Sequence, residues 1–523
     1  ALPFPSGFAP WRKGAIVAAA PDIFYAEDTD GDGKADRRET LFTGFTLGNQ
    51  QHRINGFDYG LDNWLYAANG DSGGKITSVR TGQGVDLAAR DLRFRPDDGA
   101  LELQPGRTQY GRHRDDWGNW FGCNNSVWAW HYYLPEHYLA RNPNLSVKEI
   151  RRTLATYPDQ MRVFPISATM RRFNWPSAVN ALTSGCSITP YRDDLFGEAF
   201  ASSVFICEPV NNLVHREVLE RDGVTFASHR APGDEAREFL ASADNWSRFD
   251  FARTGPDGAL YVADMYRFVI EHPQWIPEEQ QKRLDLRAGS DKGRIYRIYP
   301  TGAKLRPIPR LDQLDTAGLV AALDSPNGWQ RDTAQRLLVH AGDDAAIAPL
   351  GRLVVTSERP KTRLQALCTL DGLGGLSPEL MLAALRDPHP AVRENAVRLS
   401  EPFFGKAPDL DNPLLVLADD PEIRVRYQLA FSLGEWSDPR AGRALARIAL
   451  RDAADAQVQT AVLSSAPRHL ATVLDAVLAD AEAKPPSELI EQLLALAVAT
   501  NDNATLANAL TRIAKPGEAQ PAA

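Results

Sequence analysis

The pattern of apolar and polar positions changes character near residue 305. Before that point, short runs of alternating large apolar and small or polar residues are separated by Gly, Asn and Asp turns, as in Ala15 to Ala20, Val204 to Cys207 and Arg294 to Tyr299. Such runs predict half-buried strands. One device occurs twice. Gly60-Leu61-Asp62-Asn63-Trp64-Leu65-Tyr66-Ala67-Ala68 and Gly255-Pro256-Asp257-Gly258-Ala259-Leu260-Tyr261-Val262-Ala263 each join a tight turn to a short strand. Repetition of one turn-strand device favours a β-propeller over a sandwich. Residues 117–175 read as a long aromatic insert, with a short helix near Ser146 to Tyr157.

After residue 305 Ala and Leu recur at helical spacing, as in Val392, Ala396 and Val397. The strings Ser325-Pro326…Arg331, Arg359-Pro360…Arg363, Asp387-Pro388…Arg393 and Asp420-Pro421…Arg426 return at about 30 residues, each Pro being expected in the first turn of a helix. Units of this length stack to bury their apolar faces and form a solenoid. The Asp387 to Arg393 string resembles HEAT repeats. The expected organisation is a propeller over 1–304, HEAT-like helices over 305–515 serving as a scaffold or docking surface, and a disordered tail over 516–523.

Composition narrows the function. The chain of 523 residues is too long for one ordinary domain, and its net charge of −9 argues against a nucleic-acid partner. No apolar run of about 18 residues predicts a transmembrane helix. The four cysteines form no zinc pattern, and Cys186 and Cys207 are either a bridge or buried thiols. Ala1-Leu2-Pro3-Phe4-Pro5 reads as the start of a mature or truncated chain.

The strongest chemical motif is Asp28-Thr29-Asp30-Gly31-Asp32-Gly33-Lys34-Ala35-Asp36-Arg37-Arg38-Glu39. It has the spacing of a calcium loop, with side-chain oxygens of Asp28, Asp30, Asp32 and Glu39, the Lys34 carbonyl, and Asp36 acting directly or through water. Its flanks, Asp22 to Ala26 and Glu39 to Phe42, read as strands, so a structural calcium is expected.

A second motif runs Gln51-His52-Arg53-Ile54-Asn55-Gly56-Phe57, followed by the first turn-strand device and Asn69-Gly70-Asp71. This order resembles the glucose/sorbosone dehydrogenase propellers, quinoproteins in which a histidine takes the sugar hydroxyl proton while hydride passes to pyrroloquinoline quinone. His52 is the matching position, and imidazole titrates near working pH. A longer resemblance, carried by Leu2 to Gly7, the calcium loop, Trp130-His131-Tyr132, Tyr191 to Leu195, Cys207 to Val210, Thr254 to Gly258, Asp264 to Arg267, Ile270 to Pro273 and Leu284 to Arg287, is to the planctomycete and verrucomicrobial proteins named membrane-bound dehydrogenases. These combine a propeller, HEAT-like repeats and usually a haem c domain.

That resemblance implies a propeller lacking one or more N-terminal blades here, and a periplasmic or extracellular location. It implies a quinone-dependent dehydrogenase of a sugar or related alcohol, with His52 as base. Arg53, Asn55, Trp130, His131, Asp264, Arg267 and His272 are the expected substrate or cofactor ligands. The chain has no Cys-x-x-Cys-His, so electrons would leave through a separate cytochrome c domain or protein. The arginine-asparagine string that holds the quinone in soluble glucose dehydrogenases is also missing. The alternative is a non-catalytic propeller binding carbohydrate or protein, with the helical array docking a partner. A hydrolase or lyase is disfavoured because no paired carboxylates stand out.

Overall fold

The computed structural model describes residues 4–147, 149–155, 161–169, 180–479 and 487–514. It divides into two compact units, Ala1–Tyr133 with Ile150–Ala346, and Leu134–Glu149 with Ile347–Ala523. Leu2, Pro3, the expected tail at 516–523 and parts of the 117–175 stretch lie outside the described residues. No helix of the described residues is long and apolar enough to cross a membrane.

The first unit is a five-bladed β-propeller of antiparallel sheets. The innermost strands are Gly7–Trp11, Asn55–Tyr59, His113–Arg114, Cys186–Pro190 and Phe249–Thr254. Successive inner strands from Asn55–Tyr59 onward lie against one another, and Gly7–Trp11 lies against Asn55–Tyr59. Strands Gly74–Ser78 and Gly84–Asp86 leave the second blade and join the outer edge of the first, making it six-stranded. The core between the first two blades holds Ile16, Phe42, Leu65, Leu92 and Phe94, all fully buried.

The aromatic stretch after residue 117 is a regular blade rather than an irregular insert. Trp120–Asn124 pairs with Val127–Tyr132, in which Trp128 to Tyr132 are buried on both faces without a break, as suits a strand covered on both sides. The helix expected near Ser146 to Tyr157 is not formed among its described residues. Arg152–Thr153 instead pairs with Trp130 and His131 as the blade's outer strand.

Cys186 and Cys207 are register partners on adjacent strands, yet both are free, buried thiols. Cys186 Sγ donates to Asp250 O at 3.3 Å.

The helices Thr316–Ala322 and Gly328–Ala341 belong to the first unit. Gly328–Ala341 lies across the turns where inner strands run into their partners. Gln335 donates to Leu61 O and to Asn63 Oδ1 (2.8 Å), and Gln330 to Pro256 O (2.7 Å). Asp332 accepts from Arg114 (2.8 Å) and Arg192 (2.5 Å), while Asp116 takes Arg192 (2.7 Å) and Arg331 (2.5 Å).

The second unit is a helical-repeat solenoid. One row contains Pro360–Gly372, Pro390–Leu399, Ile423–Ser432 and Ala456–Ser465. The other contains Ile347–Thr356, Pro378–Ala384, Asp411–Val416, Pro439–Arg451, Leu470–Ala479 and Asn503–Ala514. Only Pro360 among the four repeat prolines sits inside its helix. Pro388 and Pro421 each stand one residue before the N-cap, as Pro326 does in the first unit. The caps explain the offset: the Asn327 and His389 side chains accept from Gln330 N and Ala391 N, so the helix starts after them.

Candidate functional site

Each inner strand begins at one end of the propeller axis and finishes at the end covered by Gly328–Ala341. The site predicted from sequence belongs to the starting end. His52 sits three residues before its inner strand, partly exposed, in a turn closed by its N–H on Asn49 O (2.9 Å). Ser72 Oγ donates to His52 O.

Three neighbours define the state of the imidazole. Gln109 Oε1 accepts Asn125 N–H at 2.8 Å, which turns the amide NH2 toward His52 Nε2 (3.2 Å) and Asp71 Oδ2 (3.0 Å). Nε2 is therefore an acceptor and the proton resides on Nδ1. Burial lowers the His52 pKa, Asp71 pulls it up, and Arg107 and His272 push it down. The net direction is downward, leaving a neutral imidazole at neutral pH. Tyr110 places its ring edge on His52 at 6.1 Å, and Arg107 Nε pairs with Asp71 at 2.7 Å.

The loops carrying these groups are tied together by Asp91, which is fully buried. It accepts from Asn69 N (2.9 Å), Thr108 N (3.0 Å), Thr108 Oγ1 (2.6 Å) and Arg112 (2.9 Å). Asp71 and Gln109 lie just beyond those anchor points. Gly70, at φ 71°, has no room for a Cβ, which would come within 1.9 Å of Arg53 O. Gln109, Tyr110 and Asp91 were not singled out from sequence, because no spacing ties 91, 109 and 110 to the motif that holds His52 and Asp71.

The other expected ligands separate into two groups. Gln51 donates to Ile270 O (2.9 Å), bringing the 270–272 loop to the same end, and His272 lies within electrostatic reach of His52. His272 Nδ1 also caps the turn Pro273–Trp275 through Gln274 N. Asn55 is buried and bonds only backbone: Arg53 O (2.7 Å), Gln109 O (2.8 Å) and Gly111 N (2.9 Å). Asp264 accepts Arg248 N, Tyr266 N and Ser247 Oγ, and Arg267 donates to the carbonyls of Met265, Tyr266 and Gly289. Both residues shape their loop.

Trp130 and His131 do not reach this end. Trp130 packs with Tyr66, Trp120 and Tyr132 beneath Arg151, and His131 bonds Thr225 Oγ1 (2.8 Å) between Phe121 and Phe226. A strand covered on both faces buries both of its side-chain sets.

Further titratable groups lie on the inner strands. Burial lifts Asp250 to about 7, and its Oδ1 has no hydrogen-bond partner. His113 Nδ1 faces Asp58 (3.3 Å), and Arg253 reaches Asp58 at 3.1 Å. Burial lowers His113 to about 4.

The calcium-type loop is built on the first blade between Asp22–Glu27 and Arg37–Phe45. Asp28, Asp30 and Asp32 bring carboxylate oxygens within 4.8 Å of one another on an exposed loop. Gly33 N and Gly31 N each donate to Asp28 at 2.8 Å and hold its carboxyl below the usual range. This oxygen set fits a hard divalent cation. Asp36 is engaged by Thr29, and Glu39 pairs with Arg37 at 3.4 Å, so neither joins the trio.

A tricarboxylate quinone needs several cations with free N–H groups. Arg248 donates from Nε, Nη1 and Nη2 to the carbonyls of Arg267, Pro209, Val210 and Phe268, and Arg267 Nη1 is shared by the carbonyls of Met265, Tyr266 and Gly289. Arg248 is closed to it, and Asn55 and Asp264 are bonded within the protein, so these residues do not fit that cofactor.

Comparison with solved structures finds a luciferin-regenerating enzyme at 10% identity and TM-score 0.32, covering 57% of this chain and 79% of that one. A glucose dehydrogenase aligns at 14% identity and TM-score 0.28, over 49% and 72%. A designed armadillo repeat protein aligns at 16% and 0.25, over 35% and 99%. At these scores the fold is read from the five sheets and the helical rows themselves. No curated protein matches the chain. A family model described as "Domain of unknown function (DUF7133)" matches residues 1–302, more than half of the 523, and the protein belongs to that family.

Proposed function

We propose that the His52 end of the propeller binds a sugar or related alcohol and that the protein is a dehydrogenase in which His52 accepts the hydroxyl proton. The observation carrying this reading is the neutral, partly exposed imidazole whose tautomer is set by Gln109. A base must be unprotonated at working pH and oriented by a neighbour. Asp71, bonded to the same amide, stabilises the imidazolium that forms. As the hydroxyl proton moves to His52, the C–H hydride goes to a two-electron redox acceptor bound from solution, which passes the electrons on; no step is assigned to a quinone. The electron acceptor, a cytochrome c domain or another partner, and a periplasmic or extracellular location belong to the same proposal.

The test is turnover of an aldose and polyol panel with calcium and an artificial electron acceptor, with and without added pyrroloquinoline quinone. We expect dye reduction that falls at least a hundredfold in His52→Gln. Equal rates in the variant, or no turnover with any acceptor, would overturn the enzyme reading.

One observation favours a second reading, a non-catalytic carbohydrate-binding propeller with a docking solenoid. His52 Nε2 already takes the Gln109 amide, so a hydroxyl must displace it. Calorimetric sugar binding without turnover under any acceptor would select this reading.

A further inference from the structure

Arg53 is 7% exposed, and its guanidinium is matched by no carboxylate among the described residues. Nε donates to Leu47 O at 2.8 Å, while Nη1 is buried with no hydrogen-bond partner. Its one other neighbour of note is the Phe4 ring, 5.5 Å from Cζ, and Phe4 is itself 52% exposed. A buried cation without an anion is costly, and a guanidinium fork matches a carboxylate in plane and spacing.

We propose that Arg53 binds a ligand carboxylate, so that the ligand class of this end is an acidic sugar, a uronic or aldonic acid. The proposal rests on the sugar-binding reading above. Arg53 follows His52 directly in the chain, and Asn55 and Gly70 fix its backbone, so a ligand anchored at the guanidinium lies beside the His52 loop. One uncompensated arginine suits one carboxylate. It does not suit a tricarboxylate, whose further anions would meet Arg248 with Nε, Nη1 and Nη2 already on carbonyls and Arg267 with Nη1 shared by three.

The test is binding by calorimetry and thermal shift with D-gluconate, D-galacturonate, D-glucose, inorganic phosphate and pyrroloquinoline quinone. We expect both sugar acids to bind at least tenfold more tightly than glucose. That preference disappears in Arg53→Gln, is reduced in Arg53→Lys, and persists in Phe4→Ala, which uncovers the guanidinium and keeps the charge. His52→Gln retains sugar-acid binding while losing turnover, so failure here and failure of the dehydrogenase reading are separate results. Three results would overturn the proposal: sugar acids binding no better than glucose, folded Arg53→Gln and Arg53→Lys proteins binding them like the parent, or an Arg53-dependent response to phosphate or the quinone alone.

Discussion

At the scale of single residues, His52 shows how a side chain acquires a role from neighbours distant in sequence. Its protonation state depends on burial, then on Asp71, Arg107 and His272, and its tautomer on Gln109. The sign of the pH effect follows. The unperturbed imidazole titrates near about 6.5 and the shift is downward. The base form therefore dominates above that value and is lost only at lower pH. We expect kcat/KM for the turnover proposed above to be flat above about pH 6.5 and to fall on acidification, with no such limb in the residual rate of His52→Gln. Sequence alone suggested His52 as the base; it could not show that Asn55 and Arg267 bond backbone and that Asp264 bonds backbone and Ser247, because a polar residue near a site reads the same whether it faces ligand or loop.

At the scale of elements, the repeat arginines explain their own spacing. Arg363, Arg393 and Arg426 each clasp the aspartate that opens the following repeat, at 2.6 and 2.7 Å to Asp387, 2.8 and 2.9 Å to Asp420, and 2.7 and 2.5 Å to Asp452. A third N–H of each donates to the carbonyl six residues earlier. Breaking a largely buried pair strands a charge, at about 3–5 kcal/mol when burial is complete. We expect Arg393→Leu to lower the denaturant midpoint of the solenoid transition by an amount equivalent to about 2–4 kcal/mol, since the pair is slightly exposed. The acidic loop is the other element with a direct test. If Asp28, Asp30 and Asp32 hold calcium in the folded state, chelator lowers the melting temperature and Asp30→Asn removes most of the difference. A cation at a hundredfold excess over its dissociation constant stabilises by about 2.7 kcal/mol. An unchanged melt in both proteins would count against a cation there.

At the scale of the whole molecule, the first unit contains more than the propeller strands. Gly328–Ala341 begins with a repeat-like string, Ser325-Pro326…Arg331, and Arg331 donates to Ser325 O and Pro326 O much as the later repeat arginines do. The next string opens with Arg359-Pro360 and offers no aspartate; Arg331 pairs with Asp116 of the third blade instead. Asp332 on the same helix takes two arginines from the propeller. We expect Asp332→Ala to destabilise this unit by about 3–5 kcal/mol, seen as a selective fall in its calorimetric transition, because Arg114 and Arg192 are both buried.

The chain's apolar periodicities determined the classes of structure: alternating runs with repeated turns for the propeller, and three- and four-residue spacing with a repeat of about 30 for the solenoid. Local spacing also located the acidic loop, whose three convergent carboxylates lie within five residues. The third blade escaped this reading because a strand buried on both faces has no alternation, and the tryptophans of Val127–Tyr132 looked like an insert. Only tertiary structure decided which polar groups meet. It brought Gln109 to the His52 and Asp71 motif, put Trp130 and His131 in the core, and left Arg53 buried with no carboxylate beside it among the described residues. Period and spacing act along the chain, whereas a site at the propeller axis is assembled across blades, from residues whose separation in sequence carries no signal.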